Sequence, residues 1–290
     1  MENRSLHAEP NPPAMSIPAP PLQPAGPWRW PPLLHASAAC HVLALGAMVL
    51  LPGALPWAIG ALLLNHAVIT AAGLTPRSSL LGVNLTRLPA AAAARGEVAL
   101  TIDDGPDPEV TPELLALLAA HRVRATFFCI AERVQAHPAL ARAIVEGGHS
   151  IQNHTARHRH DFSLLGPRAY AAEIGRAQEL IARVTGERPV CFRAPAGLRN
   201  PFLAPVLHRM GLTLVSWTRR GFDTRERDPA RVLERLARGL RAGDILLLHD
   251  GHAARAASGR PVLLEVLPPL LARLQSEGLR PVTLPQALKP

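Results

Sequence analysis

The chain has 290 residues, a length that allows one large domain or two small ones. Its formal net charge is +9, and nearly all of the positive charge is arginine, because Lys289 is the one lysine. The arginines are scattered among acids and alanines and do not cluster with aromatic residues, which argues against a nucleic-acid-binding protein. The cysteines, Cys40, Cys129 and Cys191, are widely separated and indicate neither a disulfide framework nor a cysteine metal site.

The N-terminal quarter divides by composition into a tail and two apolar segments. Residues 1–32 contain ten prolines and little apolar periodicity, which predicts a disordered or polyproline-like tail. Residues 33–51 and 57–74 contain no charged residue, and at about 1.5 Å per residue each nearly spans the ~30 Å hydrocarbon layer of a bilayer. Tryptophans lie at the edges of both segments, as interfacial aromatics do. We therefore expect a transmembrane hairpin; the alternatives are two buried helices of a soluble domain or a signal peptide.

The basic residues that flank these segments predict the orientation of the protein in a membrane. Arg29 precedes the first segment, and Arg77, Arg87 and Arg95 follow the second. The intervening loop, residues 52–56, has no basic residue. Because lysine and arginine near span ends mark the cytoplasmic side, we expect a multi-pass protein of a bacterial-type inner membrane with both chain ends inside. The domain that follows would then face the cytoplasm.

Residues 75–96 are interpreted as a connector, and residues 97–290 as one globular domain in which apolar runs alternate with helical stretches. The runs rich in β-forming residues are 98–102, 125–130, 149–152, 190–192, 212–217 and 244–249, with a weaker one near the end. Such alternation predicts a parallel sheet covered by helices. About seven strand–helix units favour an α/β fold of the distorted or incomplete (β/α) barrel type, and an open doubly wound sheet is the alternative.

Polar side chains follow the ends of the predicted strands. They are Asp103, Asp104, Asn153, His154, Arg193, Trp217, Asp223, His249 and Asp250. In a parallel barrel the carboxyl ends of all strands meet at one rim, where active sites lie. The fold would thus bring together residues that are about 150 positions apart.

Three of these positions have the residue types of a metal site. His154 and His158 are four residues apart, and on a helical turn they would share one face. With Asp104 they form a two-histidine, one-carboxylate set that suits a divalent cation, zinc or a neighbouring transition metal. The same stretch contains His149 and His160, so a merely histidine-rich loop is the alternative.

Further residues of the rim have the types needed for hydrolysis. Asp103 can remain a free carboxylate beside the cation and take a proton from water that the cation activates. Arg193 is the candidate partner that holds and orients Asp103. His249 is placed to protonate a leaving amine, and Asp223 could hold its imidazole. Trp217 is as compatible with the core as with a wall of the substrate groove.

Four short motifs resemble those of the polysaccharide deacetylase family, also called the NodB-homology or carbohydrate esterase 4 domain. They are TIDDGP (101–106), HTARH (154–158), RAPAG (193–197) and LLLH (246–249). The resemblance implies a metal-dependent deacetylase in which Asp103 is the base, His249 is the acid and Arg193 orients Asp103. It also implies that Asp104 and the two histidines of HTARH bind the metal.

The resemblance further assigns two substrate-side roles and leaves two departures. It implies that Thr155 braces the metal loop and that the backbone N–H at Ala196 helps to hold the oxyanion. Many family members have an aromatic residue at the position of Ala196, so a stacking wall is lost. The stretch WTRRGFDT lacks the usual close grouping of an acid and a tryptophan, which puts the role of Asp223 in doubt.

The expected function is removal of an N-acetyl or other N-acyl group from an amino sugar in a polysaccharide, an oligosaccharide or a lipid-linked sugar. The expected partners are that N-acetylated glycan or lipid-linked amino sugar, a membrane and a divalent metal, with no nucleic acid and no obligate protein partner. A deformylase or an O-deacetylase that acts on a lipid-linked sugar is the alternative among enzymes. A non-catalytic glycan-binding membrane scaffold is the alternative from another class.

Overall fold

The computed structural model describes residues 26–289. Most of the predicted tail, up to residue 25, therefore lies outside the described residues. The described part begins with two apolar helices, α1 (Pro32–Leu50) and α2 (Leu55–Leu74). They pack side by side as a hairpin, and the side chain of Asn65 donates a hydrogen bond of 3.0 Å to the hydroxyl of Ser37 between them.

Both helices are long and apolar enough to cross a membrane. Only 11% of the most apolar stretch of α1 and 17% of that of α2 is buried inside the protein. The helices of a soluble core would bury most of such a surface, whereas a lipid-facing pair leaves it for the bilayer to cover. Length, composition and exposure are therefore consistent with a membrane anchor or a signal peptide.

The domain that follows is built on one parallel sheet whose strands, among the described residues, are β1 (Glu97–Asp103), β2 (Thr126–Cys129), β3 (Ser150–Asn153), β4 (Cys191–Phe192), β5 (Thr213–Leu214), β6 (Arg219–Arg220), β7 (Ile245–His249) and β8 (Arg280–Val282). Their order is β5-β4-β3-β2-β1-β7-β6, and β8 pairs with β1. The short β5 and β6 belong to one segment, residues 213–220, which pairs with β4 at its start and with β7 at its end. The sheet is thereby curled into a distorted barrel of seven strand-bearing segments. The barrel prediction is confirmed.

Seven helices of the described part cover the outer face of the sheet: α4 (Thr111–Ala120), α5 (Ala131–Ala136), α6 (Pro138–Glu146), α7 (Pro167–Thr185), α8 (Leu203–Arg209), α9 (Pro229–Ala237) and α10 (Val262–Ser276). Two short helices, α3 (Ala90–Ala94) and α11 (Leu284–Ala287), pack against the other face. Strand β1 lies at the centre and every one of its residues is buried. Because successive side chains of a strand point to opposite faces, Leu100 and Ile102 pack among the helices while Ala99 packs with Leu247 on the other face. This two-sided burial fixes the position of the acids at the end of β1.

The stretch between the hairpin and β1 packs closely against the domain. The backbone of Leu85 exchanges hydrogen bonds of 2.9 and 2.8 Å with Leu214 and Ser216. Leu81 and Leu88 are buried. The predicted connector thus adds a short extended segment beside β5.

The last turn of α2 contacts the domain directly. The amide of Arg199 donates a 3.1 Å hydrogen bond to the carbonyl oxygen of Gly73. A Cβ atom on Gly73 would collide with the carbonyl oxygen of Arg199, so glycine is the residue that allows this approach. The hairpin is therefore joined to the loop that follows β4 by a backbone contact.

Candidate active site

The carboxyl ends of four strands place the predicted site residues around one rim. Asp103 ends β1 and lies in register with His249, which ends β7. On the other side, Asn153 ends β3 in register with Phe192 of β4. Arg193 follows directly after Phe192, and its amide donates a hydrogen bond to the Asn153 carbonyl. The parallel sheet therefore brings together residues from distant parts of the chain, as its topology requires.

Asp104, His154 and His158 form a cluster whose ligand atoms all lie within 4.8 Å of one another. The Oδ1 atom of Asp104 is 3.3 Å from the Nε2 atom of each histidine. This oxygen is buried and has no hydrogen-bond partner among residues 26–289. One unsatisfied carboxylate oxygen that faces two imidazole nitrogens is a donor set for a divalent cation. The residues present fit such a metal.

The charges around this cluster also suit a cation. Although burial opposes ionisation, the neighbouring His154 and His252 rings hold the pKa of Asp104 well below its usual range. Burial, reinforced by the charge of His154, lowers the pKa of His158 to about 4, so this ring is neutral, the form that binds metals. At His154 burial is outweighed by the carboxylates of Asp103 and Asp104, which raise its pKa. A site that binds a proton between two carboxylates can exchange it for a cation.

The two histidines do not lie on a helical turn, contrary to the expectation from their spacing. Residues 154–158 form a loop in which Thr155 (φ 68°) and His158 (φ 52°) adopt left-handed backbone conformations. The loop is held by side chains: Asn153 Oδ1 accepts from the amide of Thr155 at 2.9 Å, and Thr155 Oγ1 accepts from the amide of His158 at 2.8 Å. These side-chain bonds replace the backbone bonds of a helix. Thr155 thus lies where it can brace the loop.

The imidazole of His154 is oriented by its second nitrogen. Its Nδ1 atom lies 2.8 Å from the carbonyl oxygen of Arg193, so Nδ1 carries the proton in the neutral ring. The Nε2 atom is then free to face Asp104. Such an outer hydrogen bond fixes the tautomer and the angle of a ligating histidine.

Arg193 is fully buried, with 1% of its surface exposed, and it holds Asp103. One terminal nitrogen of its guanidinium donates 2.5 Å to Asp103 Oδ1 and 2.9 Å to the hydroxyl of Thr101. The other donates to the carbonyl oxygen of Ser216 at 2.9 Å, and the group lies 4.1 Å from the ring centroid of Phe128. A guanidinium that is fixed on every side can orient one carboxylate oxygen and leave the other free. Asp103 Oδ2 lies 3.9 Å from His154 Nε2, at the edge of the metal cluster.

His249 and Asp223 form a second buried pair, at the end of β7 next to Asp103. Asp223 Oδ1 lies 2.9 Å from His249 Nδ1, and Asp223 Oδ2 accepts a 2.7 Å hydrogen bond from the His249 amide. Burial opposes the charged imidazole, but the Asp223 carboxylate, with Asp103 and Asp104, raises the pKa of His249 to about 9. The ring is therefore protonated at neutral pH. The irregular stretch around Asp223 still places this acid in contact with the histidine.

The two other residues predicted on the substrate side lie in different environments. Trp217 is 7% exposed, and its ring centroid is 5.9 Å from the Arg193 guanidinium carbon. It therefore packs behind Arg193 more than it lines an open groove. Ala196 is exposed and has a left-handed backbone (φ 53°) in a single turn of 3-10 helix after β4.

Two residues near the site received no role from the sequence. Asp250 is buried, accepts a 2.5 Å hydrogen bond from Thr111 Oγ1 and fills the space in front of Gly105. Burial, with the charge of Asp104, raises the pKa of Asp250 to about 7. His252 lies with Nδ1 3.4 Å from Asp104 Oδ2, on the solvent side of the cluster. The motif HDGH, residues 249–252, offered a weak signal, because its second histidine follows the first by three positions on the same rim.

Comparisons with known proteins identify the class. A family model described as polysaccharide deacetylase matches residues 91–215. The chain is 34% identical over 208 residues to a chitooligosaccharide deacetylase from Sinorhizobium fredii, covering 70% of this chain and 96% of that protein. It is 31% identical over 194 residues to a peptidoglycan-N-acetylglucosamine deacetylase from Bacillus cereus, covering 66% and 88%.

Solved structures agree with this assignment. A family 4 carbohydrate esterase from Streptomyces lividans is 33% identical, with a TM-score of 0.59, and the match covers 66% of this chain and 94% of that one. The Bc1960 peptidoglycan N-acetylglucosamine deacetylase is 26% identical with a TM-score of 0.64, covering 70% and 92%. The chain belongs to the polysaccharide deacetylase family. It is a hydrolase that acts on carbon–nitrogen bonds other than peptide bonds.

Proposed function

We propose that the enzyme removes the N-acetyl group from an amino sugar of the N-acetylglucosamine type, in a glycan or linked to a lipid, with the help of a divalent cation. The observation that carries this proposal is the meeting, on one rim, of a metal cluster, a carboxylate held by arginine and a protonated histidine. The similarity to deacetylases that act on chitooligosaccharides and peptidoglycan supports the substrate class.

Asp104, His154 and His158 would hold the cation. Zinc suits this donor set, as do several neighbouring transition metals. When bound, a divalent cation there supplies Lewis-acid activation of water and of the amide carbonyl. The neutral ring of His158 and the ionised carboxylate of Asp104 are already in their metal-binding forms.

The residues of the chain divide the proton transfers between them. Asp103, fixed through one oxygen by Arg193, takes a proton from the attacking water through its second oxygen. His249, kept protonated by Asp223, gives its proton to the nitrogen that leaves the acyl group. The backbone N–H at Ala196 would help to hold the oxygen that becomes negatively charged. Base and acid thus stand side by side at the ends of the adjacent strands β1 and β7.

Acetate release by the full chain, in detergent or nanodiscs, tests this function. The substrates are N-acetylated chitooligosaccharides and a lipid-linked N-acetylglucosamine. We expect release with added zinc or cobalt and almost none from Asp103→Asn. Asp244→Asn is the matched control, because Asp244 is an equally buried carboxylate that pairs with Arg87 and Arg219 away from the rim. Formate release in place of acetate would indicate a deformylase. No acyl release from any of these substrates by metal-loaded protein would refute the proposal.

We also propose that α1 and α2 cross the inner membrane as a hairpin and that the catalytic domain faces the cytoplasm. Arg87 and Arg95 form ion pairs with Asp244 and Glu97 inside the domain, so the charge argument depends chiefly on Arg29 and Arg77. On that side of the membrane the substrate is a precursor such as a lipid-linked amino sugar. Alkaline phosphatase fused to the C-terminus should be inactive and a fluorescent protein should be bright; strong phosphatase activity would place the domain outside.

A further inference from the structure

We propose that part of the catalytic domain lies in the interfacial layer of the bilayer that the hairpin crosses. The part concerned is an apolar rim formed by the exposed side chains of Leu80, Val83, Leu164 and Phe202. The inference rests on the proposed insertion of α1 and α2 and concerns a different surface of the protein. It assigns the lipid headgroup boundary as the partner of this rim.

The contact between α2 and the domain sets the depth of the apolar rim. The Arg199 amide is hydrogen-bonded to the carbonyl of Gly73, one residue before α2 ends at Leu74. A helix rises about 1.5 Å per residue, so Arg199 lies level with the last turn of an apolar span. Phe202 follows three residues later and is 51% exposed. This part of the domain is therefore held at the depth where a span of this length meets the headgroups.

Hydrogen bonds and close packing join the loops that form the apolar rim. The side-chain amide of Asn200 donates to the carbonyl oxygens of Ser163 and Leu165, both at 2.9 Å, and its oxygen accepts from the amide of Phe202 at 2.9 Å. Leu164, between the two carbonyls, is 82% exposed. The loop after the metal cluster and the loop after β4 are thus held together, and each carries an exposed apolar side chain.

The other half of the apolar rim, Leu80 and Val83, lies near the residues that precede α1. A Cβ atom on Gly82 would lie 2.8 Å from the Cβ of Ala204 and 3.2 Å from the ring of Trp28. Leu80 and Val83, on either side of this contact, are 54% and 80% exposed. Trp28 also packs 5.7 Å from the ring of His208 in α8. Tryptophan at the end of an apolar span is typical of the membrane interface, so this residue links the domain to that layer.

Single exposed apolar residues are common on soluble proteins and need no partner. These four differ because the loops that carry them are joined to the end of a candidate span, to an aromatic residue of the interfacial type and to each other. Two of them also follow site residues in the chain: Leu164 lies six residues after His158, and Phe202 six after Ala196. The mouth of the active site would then open at the membrane surface.

Depth measurements on the full chain in nanodiscs test the proposal. Cys129 and Cys191 are buried, so a Cys40→Ala background leaves one reactive site when a cysteine is introduced. Nitroxide labels are placed at Leu164→Cys and Phe202→Cys, and their collision rates with oxygen and with a water-soluble nickel chelate are compared. We expect the oxygen-to-nickel ratio at both positions to be several-fold higher than at an exposed position far from the hairpin.

Two reference positions make the outcomes distinguishable. Leu63→Cys, on the exposed face of α2, reports whether the hairpin is in lipid. Ala272→Cys, exposed on α10 between α9 and α4, reports the water-facing side. If Leu63 is in lipid but Leu164 and Phe202 match Ala272, the inference about the apolar rim is wrong, whereas the insertion of the hairpin is supported. If Leu63 also matches Ala272, the hairpin is not in lipid, and both the proposed insertion and the inference about the apolar rim are wrong. Circular dichroism of each labelled variant verifies that it is folded.

Discussion

Asp223→Asn should change the pH dependence of the enzyme more than its structure. In the wild type the carboxylate of Asp223 contacts both the ring and the amide of His249 and, with Asp103 and Asp104, raises the pKa of the imidazole to about 9. Asparagine keeps the shape and one acceptor oxygen but removes the charge. Burial of the ring, which lowers the pKa, then meets less opposition. The pKa of His249 should fall to its ordinary value near 6.5 or below.

The size of the effect follows from the fraction of protonated rings. A histidine that donates a proton supports activity below its pKa, and that activity is lost as the pH rises through the pKa. At pH 7.5 a pKa of about 9 leaves roughly 97% of the rings protonated, whereas a pKa of ~6.5 leaves about 9%. The variant should therefore lose about tenfold in kcat/KM at pH 7.5. At pH 5.5 the same variant is still about 91% protonated, so the loss from this cause nearly vanishes.

The assay is acetate release measured from pH 5 to pH 10 with metal-saturated protein. Asp244→Asn, at the opposite end of β7 from His249, removes an equally buried carboxylate and should lower stability without moving the basic limb of the profile. A basic limb near pH 9 in Asp223→Asn, or an equal shift in Asp244→Asn, would refute the reasoning. Either result would mean that Asp223 does not control the proton on His249.

Four further predictions concern the metal ligands, the base, the metal itself and the core. Alanine at any ligand should abolish both bound metal and activity, measured by elemental analysis and acetate release: Asp104→Ala, His154→Ala and His158→Ala. Asp103→Asn should keep its metal and lose several orders of magnitude in kcat; a metal-free Asp103→Asn beside a loaded Asp104→Ala would reverse the assignment of the two acids. Chelation with EDTA should abolish acetate release, and added zinc should restore it; activity that persists in metal-free protein would contradict the proposed site. Leu100→Ala, at a fully buried position of β1, should lower the free energy of unfolding by about 2–5 kcal/mol in urea titrations. Leu164→Ala, at an exposed position, should change it by no more than ~0.5 kcal/mol.

The sequence could predict where the active-site residues lie, because the apolar runs that form the strands stop at polar residues. Asp103 and His249 each end a run of buried β-forming side chains, and strands of a parallel sheet end on the same side. Strand–helix alternation predicted that sheet without any knowledge of loops. The part of the site that depends on strand ends was therefore accessible from the pattern of hydrophobicity alone.

The loops carry information that the pattern does not contain. The spacing of His154 and His158 suggested a helical turn, but side-chain hydrogen bonds from Asn153 and Thr155 stabilise left-handed residues there. The contact of Asp223 with His249 joins residues 26 positions apart and depends on how residues 213–220 cross from β4 to β7. Local propensity does not specify such long-range closure, so the structure had to supply it.

The contact between Gly73 and Arg199 also limits how the enzyme can search for substrate. If residues 75–96 were a free linker, their ends would be separated by roughly 26 Å on average, and the domain could sweep a hemisphere around its anchor. Here Leu85 is hydrogen-bonded to Leu214 and Ser216, and the last turn of α2 is joined to the domain, so backbone contacts tie the domain closely to its anchor. With the hairpin in a bilayer, encounters are restricted to two-dimensional diffusion at a fixed height. Under the proposed insertion, amino sugars carried in the same leaflet would be met at high local concentration, and glycan more than a few sugars away from the membrane would be out of range.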